Sequence, residues 1–173
     1  MTEKSINIRS ITLIALMAAM VFVLTVIPRF PVPATGGYIH LGDAGVIFAA
    51  CAFGPGVAMA AGGLGTALAD LMGYPQWAIF SLLVHGLQGF IVGLVLRRKL
   101  NAVNLILSAV FSILIVTGGY FISGVILEGA AVAAIEILPN TLQALSGSLV
   151  GIPLYLAVRQ AYPPINRFTN RAK

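Results

Sequence analysis

Five stretches of this chain run without a charged residue: positions 10–27, 44–69, 71–96, 100–127 and 137–158. Each is close to or beyond the length that a helix needs to cross a hydrocarbon core of about 30 Å. The pattern therefore predicts membrane helices. The second stretch is interrupted by "FGPGV", Phe53 to Val57. A Gly-Pro-Gly triplet is a turn signal, and Pro55 suits the first position of a new helix. With a break there the chain has six helices, at approximately 10–27, 42–53, 55–72, 76–96, 102–127 and 138–158. The second is only about twelve residues, too short to span alone at ~1.5 Å per residue. It is expected to be tilted or shielded by its neighbours.

Composition agrees with the pattern. Of 173 residues, 59% are hydrophobic and 9% charged, against roughly 25% charged in a soluble domain. Mean hydropathy is +1.00. These values predict an all-α membrane protein formed by one domain over residues 1–173, a bundle with no soluble part. The first apolar run exceeds the usual 7–15-residue core of a secretory signal, so a retained helix is expected. Cys51 stands alone, which excludes an internal disulfide, a CxxC redox pair and a Cys-rich metal site. Neither a metal nor a cofactor is expected.

Charge decides the helix count. With six crossings, Lys4, Arg9, Arg97, Arg98, Lys99, Arg159, Arg167, Arg171 and Lys173 share one side with both termini, and only Arg29 of the ten basic residues is opposite. Five crossings would split them. The positive-inside rule then predicts cytoplasmic termini. The net charge of +5 is accounted for by these anchors and needs no nucleic-acid partner. Asp43, Asp70, Glu128 and Glu136 fall at outer helix ends, and Glu3 alone lies inside.

Polar residues concentrate in the same outer half. The segment 28–43, "PRFPVPATGGYIHLGD", is long and apolar for a connector, and such loops often act as lids or binding loops. Residues 28–42 are read as a gating loop, with Tyr38, His40 and Asp43 at a pocket rim. Asp43 could equally be a helix N-cap. His85 and Gln88, three apart, share a helix face. Glu136, Asn140 and Gln143 form a second stripe, and Tyr74, Trp77 and Tyr120 add aromatic surface near the same end. Single residues of this kind can be interfacial anchors or interhelical hydrogen bonds. As a converging set they predict a small-molecule pocket. Small residues recur at four-residue spacing in Ala15/Ala19, Ala58/Gly62, Gly89/Gly93 and Gly147/Gly151, which permits close helix approach. Three pairs suit internal packing. Ala15 and Ala19 have no polar neighbour facing a pocket and are candidates for contact with another protein.

The ordered stretches "GYIHLGDAGVIFAACAFGPGVAMAAGGLGTALADLMGY" and "HGLQGFIVGL" resemble the substrate-binding S component of an energy-coupling factor (ECF) vitamin transporter. The likeness covers nearly the whole chain, including the Ala-xxx-Ala first helix. It is nearest to the riboflavin, hydroxymethylpyrimidine and pyridoxine-type group. The resemblance implies a multi-pass protein of a prokaryotic cell membrane that binds a vitamin from outside. It also implies a transmembrane coupling protein and two cytoplasmic ATPase subunits as partners, with Ala15 and Ala19 at the coupling interface. The chain itself has no Gly-x-x-x-x-Gly-Lys phosphate loop, since none of its three lysines follows a glycine. Hydrolysis would have to come from those partners.

An enzyme is not expected. Asp43 and Asp70 lack the depth and the GxGD context of an intramembrane aspartyl protease, and no Gly-x-Ser-Gly nucleophile is present. A stand-alone carrier or channel is the alternative, because polar stripes inside a bundle would serve either. The only outer basic residue is Arg29, so a strongly anionic vitamin such as folate would meet little positive charge. The predicted ligand is a neutral or weakly basic aromatic heterocycle: pyridoxine-like or hydroxymethylpyrimidine-like first, riboflavin next. Aromatic side chains would stack on it while Gln88, Asn140 and Gln143 read its polar edge.

Overall fold

A glycine with φ +83° at position 54 separates two helices, and Pro55 takes the first helical position after it. This is seen in a computed structural model that describes residues 8–33, 35 and 37–168. In chain order the described elements are α1 (Ile8–Val26), strands β1 (Phe30–Val32) and β2 (Gly37–Ile39), α2 (Gly42–Phe53) and α3 (Pro55–Leu71). They continue with α4 (Ala78–Arg98), α5 (Ala102–Leu127), α6 (Ala130–Ile135) and α7 (Ile137–Ala161). Short 3₁₀ turns at Pro75–Trp77 and Pro163–Phe168 precede α4 and follow α7.

Among the described residues, four segments are long and apolar enough to cross a membrane: Ile8–Val26, Pro75–Arg97, Ala102–Leu127 and Ile137–Ala161. The 12-residue α2 does not need to face lipid. It packs against α1, α3, α4 and α7, and Val46, Ile47, Ala49, Cys51 and Ala52 are completely buried. Its side chains are shielded by these neighbours. The lipid-facing surface is apolar instead, with Leu16, Leu83, Ile106, Leu114 and Leu149 exposed. That inversion is expected where the surrounding solvent is hydrocarbon.

Two departures from the sequence reading concern local structure. The loop over 28–42 contains an antiparallel ribbon in which Phe30, Pro31 and Val32 pair with Ile39, Tyr38 and Gly37. Prolines argue against a central strand, but a two-stranded ribbon has only edges, where proline is tolerated. At the other end, the helix expected at 138–158 begins at Ile137 and runs to Ala161, behind the separate one-and-a-half-turn α6. Gly129, with φ +90°, makes the corner between α5 and α6. Glu3, Lys4, Arg171 and Lys173 lie outside the described residues.

Small residues set the helix spacing. A Cβ on Gly62 would stand 2.8 Å from the His85 carbonyl, and one on Gly63 would stand 2.6 Å from that of Leu82, so α3 and α4 meet backbone to backbone. Gly89 meets Ala58, and Gly93 meets Pro55, along the same seam. Gly65 brings α3 onto Ala18 and Val21 of α1. Gly147 and Gly151 bring α7 onto Asp43 and Ala44 of α2. Three of the four spaced pairs are thus consumed inside the bundle. Ala15 and Ala19 are exposed, because α1 turns Met17, Ala18, Val21 and Thr25 inward instead.

Close approach cannot absorb a large side chain. Gly151→Leu, whose Cβ would lie 2.6 Å from the Ala44 carbonyl oxygen, should destabilise the detergent-solubilised protein by about 1–3 kcal/mol or more through overpacking. Gly118→Leu, with nothing within 4 Å of its Cβ, should leave the thermal unfolding midpoint nearly unchanged. Equal midpoints for the two variants would show that the α2–α7 seam is not tightly packed.

Candidate ligand-binding site

The ribbon, the ends of α3 and α5, the turn before α4 and the start of α7 enclose a cavity of about 300 Å³. The ribbon covers it because three side-chain contacts tie it down. The Tyr38 hydroxyl donates to Asp70 Oδ1 on α3 at 3.0 Å. The His40 backbone N–H donates to Gln143 Oε1 on α7 at 3.3 Å. The Thr35 hydroxyl meets Glu136 Oε1 at the start of α7. Behind the ribbon, the Arg29 guanidinium lies 4.5 Å from the centre of the Tyr38 ring and its Nε donates to the Thr25 carbonyl.

His40 belongs to the connection between β2 and α2, outside the spanning helices. Its Nδ1 accepts a hydrogen bond from the Gly42 N–H at 3.1 Å, which only an unprotonated Nδ1 can do. Burial, the dominant influence, pushes its pKa down to about 3, so the ring is neutral at physiological pH. Burial first, and the Asp70 charge second, push the Tyr38 hydroxyl well above its ordinary range. It therefore remains a donor to the carboxylate beside it.

Of the residues singled out from sequence, Tyr38, His40, Tyr74, Trp77, Tyr120, Asn140 and Gln143 line the cavity. Asp43, His85 and Gln88 do not. They are completely buried below its floor, where Asp43 Oδ1 lies 2.9 Å from His85 Nδ1. The same Nδ1 is 2.9 Å from Gln88 Oε1, and Gln88 Nε2 donates to the Ser112 hydroxyl on α5 at 2.8 Å. The capping alternative for Asp43 does not apply. The residue preceding α2 is Leu41, whose side chain makes no cap, and Asp43 lies within the first turn facing His85.

From His85 the contacts climb back to the cavity. Its Nε2 is 3.1 Å from the Tyr120 hydroxyl, which is 2.5 Å from the Ser81 hydroxyl. Ser81 shares the cavity wall with Asp70. Glu136, named with Asn140 and Gln143 in the second stripe, also lines the cavity, as do Asp70, Ser81, Thr35, Gln76 and Glu128, which were not singled out for it. A signal existed for Ser81, which precedes His85 by one helical turn. Among the described residues the lining contains three carboxylates, from Asp70, Glu128 and Glu136, and no lysine or arginine. Among the described residues no group of histidine, cysteine and carboxylate side chains is arranged to hold a metal ion.

Comparison with known proteins agrees with this architecture. Residues 5–160 match the model of a family described as the ECF-type riboflavin transporter, S component. The chain is 36% identical over 143 residues to the thiamine precursor transporter HmpT of Lactococcus lactis subsp. cremoris (strain MG1363), covering 82% of each chain. It is 37% identical over 145 residues to an uncharacterized protein in a gap 3' region of Pyrococcus woesei, covering 84% of this chain and 98% of that one. A bundle of apolar helices with a polar cavity under a ribbon, matched over most of its length, is thus a multi-pass transporter component of a prokaryotic membrane rather than an enzyme: the chain belongs to the ECF-type riboflavin transporter S component family.

Proposed function

We propose that this chain captures a neutral or weakly basic aromatic heterocycle from outside the cell, a compound of the hydroxymethylpyrimidine type above all. Uptake would be driven by a coupling protein and two ATPase subunits. The observation that carries the reading is the cavity: about 300 Å³, lined among the described residues by Tyr38, Tyr74, Trp77 and Tyr120 together with three carboxylates and no cation. This volume lies at the small end of the roughly 300–1,000 Å³ typical of ligand sites, which suits one ring better than a fused tricycle with a polyol tail. The likeness to a thiamine precursor transporter supports the same class. The family description points to riboflavin as the next candidate.

The six-crossing topology with cytoplasmic termini belongs to this proposal. Arg9, Arg97 and Arg167 share one cleft with the Gly54–Pro55 turn, the grouping that the positive-inside rule assigns to the cytoplasm. The cavity then faces out, under a ribbon acting as lid. In this reading Tyr38, His40, Tyr74, Trp77, Tyr120, Asn140 and Gln143 contact the ligand. Asp43, His85 and Gln88 support the floor.

Asn140→Leu should weaken binding of hydroxymethylpyrimidine about tenfold, the scale of one lost buried hydrogen bond (~1.4 kcal/mol). The side chain is only half-buried, so the unfolding midpoint should hardly move. Titration calorimetry with a thermal scan separates the two effects, and unchanged affinity would place the ligand elsewhere. The exposed Ala15 and Ala19 give a second expectation, since association inside lipid rests on close packing. The double variant Ala15→Trp, Ala19→Trp should retain ligand binding yet lose co-purification with the coupling protein and ATP-dependent uptake. Normal uptake by that variant would remove the interface from α1.

A further inference from the structure

Below the cavity runs a series of polar groups: Asp43 in contact with His85, then Tyr120 and Ser81 in hydrogen-bond contact, with Asp70 on the same cavity wall as Ser81. Its members come from α2, α4, α5, α4 and α3. Asp43 and His85 are completely sealed, whereas Tyr120, Ser81 and Asp70 reach the cavity wall. Each hydroxyl has one hydrogen to give, so the series can be ordered in only two directions. His85 decides which one. Its Nδ1 faces two acceptors, Asp43 Oδ1 and Gln88 Oε1, and therefore carries a hydrogen. Only Nε2 remains variable. A neutral ring would accept from Tyr120. An imidazolium donates to the Tyr120 oxygen, which sends the Tyr120 hydrogen to Ser81 and leaves the Ser81 hydrogen for the Asp70 carboxylate on the same wall.

Charge balance selects the second order. Asp43 is fully buried and His85 is the titratable base in contact with it, so an ionised Asp43 next to a neutral ring would leave an uncompensated charge in the bundle, and the proton is assigned to His85. The other titratable or charged groups around the series are His40, held neutral above β2, Tyr38 and Tyr74, and Arg29, stacked on the far side of Tyr38. None reverses the order.

Resting on the vitamin-binding reading, we propose that the Asp43–His85 pair polarises this series so that the cavity floor presents acceptors only. The site thereby selects an amidine-type edge, an amino group beside a basic ring nitrogen, over an imide or lactam edge that offers carbonyls. Asp70 is the carboxylate that receives that edge, and Glu128 and Glu136 add to the acceptor surface. His85 is a positioning residue. It touches no ligand and fixes which atoms of Tyr120 and Ser81 can. A carbonyl placed against Asp70 would meet an acceptor with no hydrogen to share, and a buried polar group left unpaired is what gives hydrogen-bonding sites their large discrimination.

The test is calorimetric binding of three probes to the detergent-purified full chain. They are hydroxymethylpyrimidine, its oxo analogue with a carbonyl in place of the amino group, and riboflavin. The parent should prefer the amino compound over the oxo analogue by about a hundredfold or more, consistent with two mismatched polar contacts. Asp70→Asn, whose amide can offer an N–H, should cut that preference at least tenfold. His85→Gln should cut it comparably without weakening oxo-analogue binding. Ser81→Ala, a small change at the cavity wall, tests the same link should the His85 variant fail to fold, and it too should narrow the ratio. A structural role alone would lower both affinities together and leave the ratio intact, which would overturn the proposal. Parent protein that binds riboflavin but not the amino compound overturns the polarity while leaving vitamin capture standing. Binding of none of the three removes both.

Discussion

An aspartate and a histidine with no exposure to solvent face one another 2.9 Å apart in the middle of an apolar bundle. Neither could be tolerated there alone. Removing one partner of a buried ion pair commonly costs about 3–5 kcal/mol, because the other charge is left uncompensated. This constraint fixes α2 against α4 at one depth. Gly147 of α7 closes over the Asp43 side chain, and Gln88 carries the polar contact on to Ser112 of α5. Four helices thereby meet around one buried Asp43–His85 contact. The rest of the bundle supplies spacing, through the glycine seams of α3 with α4 and α2 with α7, which place backbones close enough for those side chains to meet.

The cavity follows from that register. Its floor is the upper end of the polar series, its walls are the aromatics of the α3–α4 turn and α5, and its roof is a ribbon held by Tyr38, His40 and Thr35. Each roof contact ends on a group that also lines the cavity: Asp70, Gln143 and Glu136. A ligand that competes for those groups would loosen the roof, and a ligand that bridges them would hold it shut. The chain carries no phosphate loop and no described metal cluster. The apolar face of α1, with Ala15, Leu16 and Ala19, is exposed.

Much of this was legible in the sequence, and the failures have physical causes. Charge-free runs and the Gly-Pro-Gly break located the helices, because lipid leaves the backbone few alternatives to helix. Four-residue spacing of glycine and alanine located the seams. The ribbon was missed because its prolines disfavour strand pairing in any setting but an edge. Asp43 could be read as a cap because aspartate favours that position; the helix instead starts at Gly42 behind Leu41, leaving the carboxylate to face inward. Asp70 was not singled out for the site because a lone acid at a helix end looks like ordinary solvation. Its hydrogen-bond partner Tyr38 and its cavity neighbour Ser81 come from other elements, and only the fold brings them together.

Native mass spectrometry of the chain, purified in mild detergent from cells grown with hydroxymethylpyrimidine and released intact into the gas phase, tests the central claim most directly. The account predicts a single bound molecule per chain, with the mass of that pyrimidine, retained without ATP or any partner subunit. A chain that carries no small molecule, or that retains only a strongly anionic vitamin of the folate type, would contradict an acid-lined capture site.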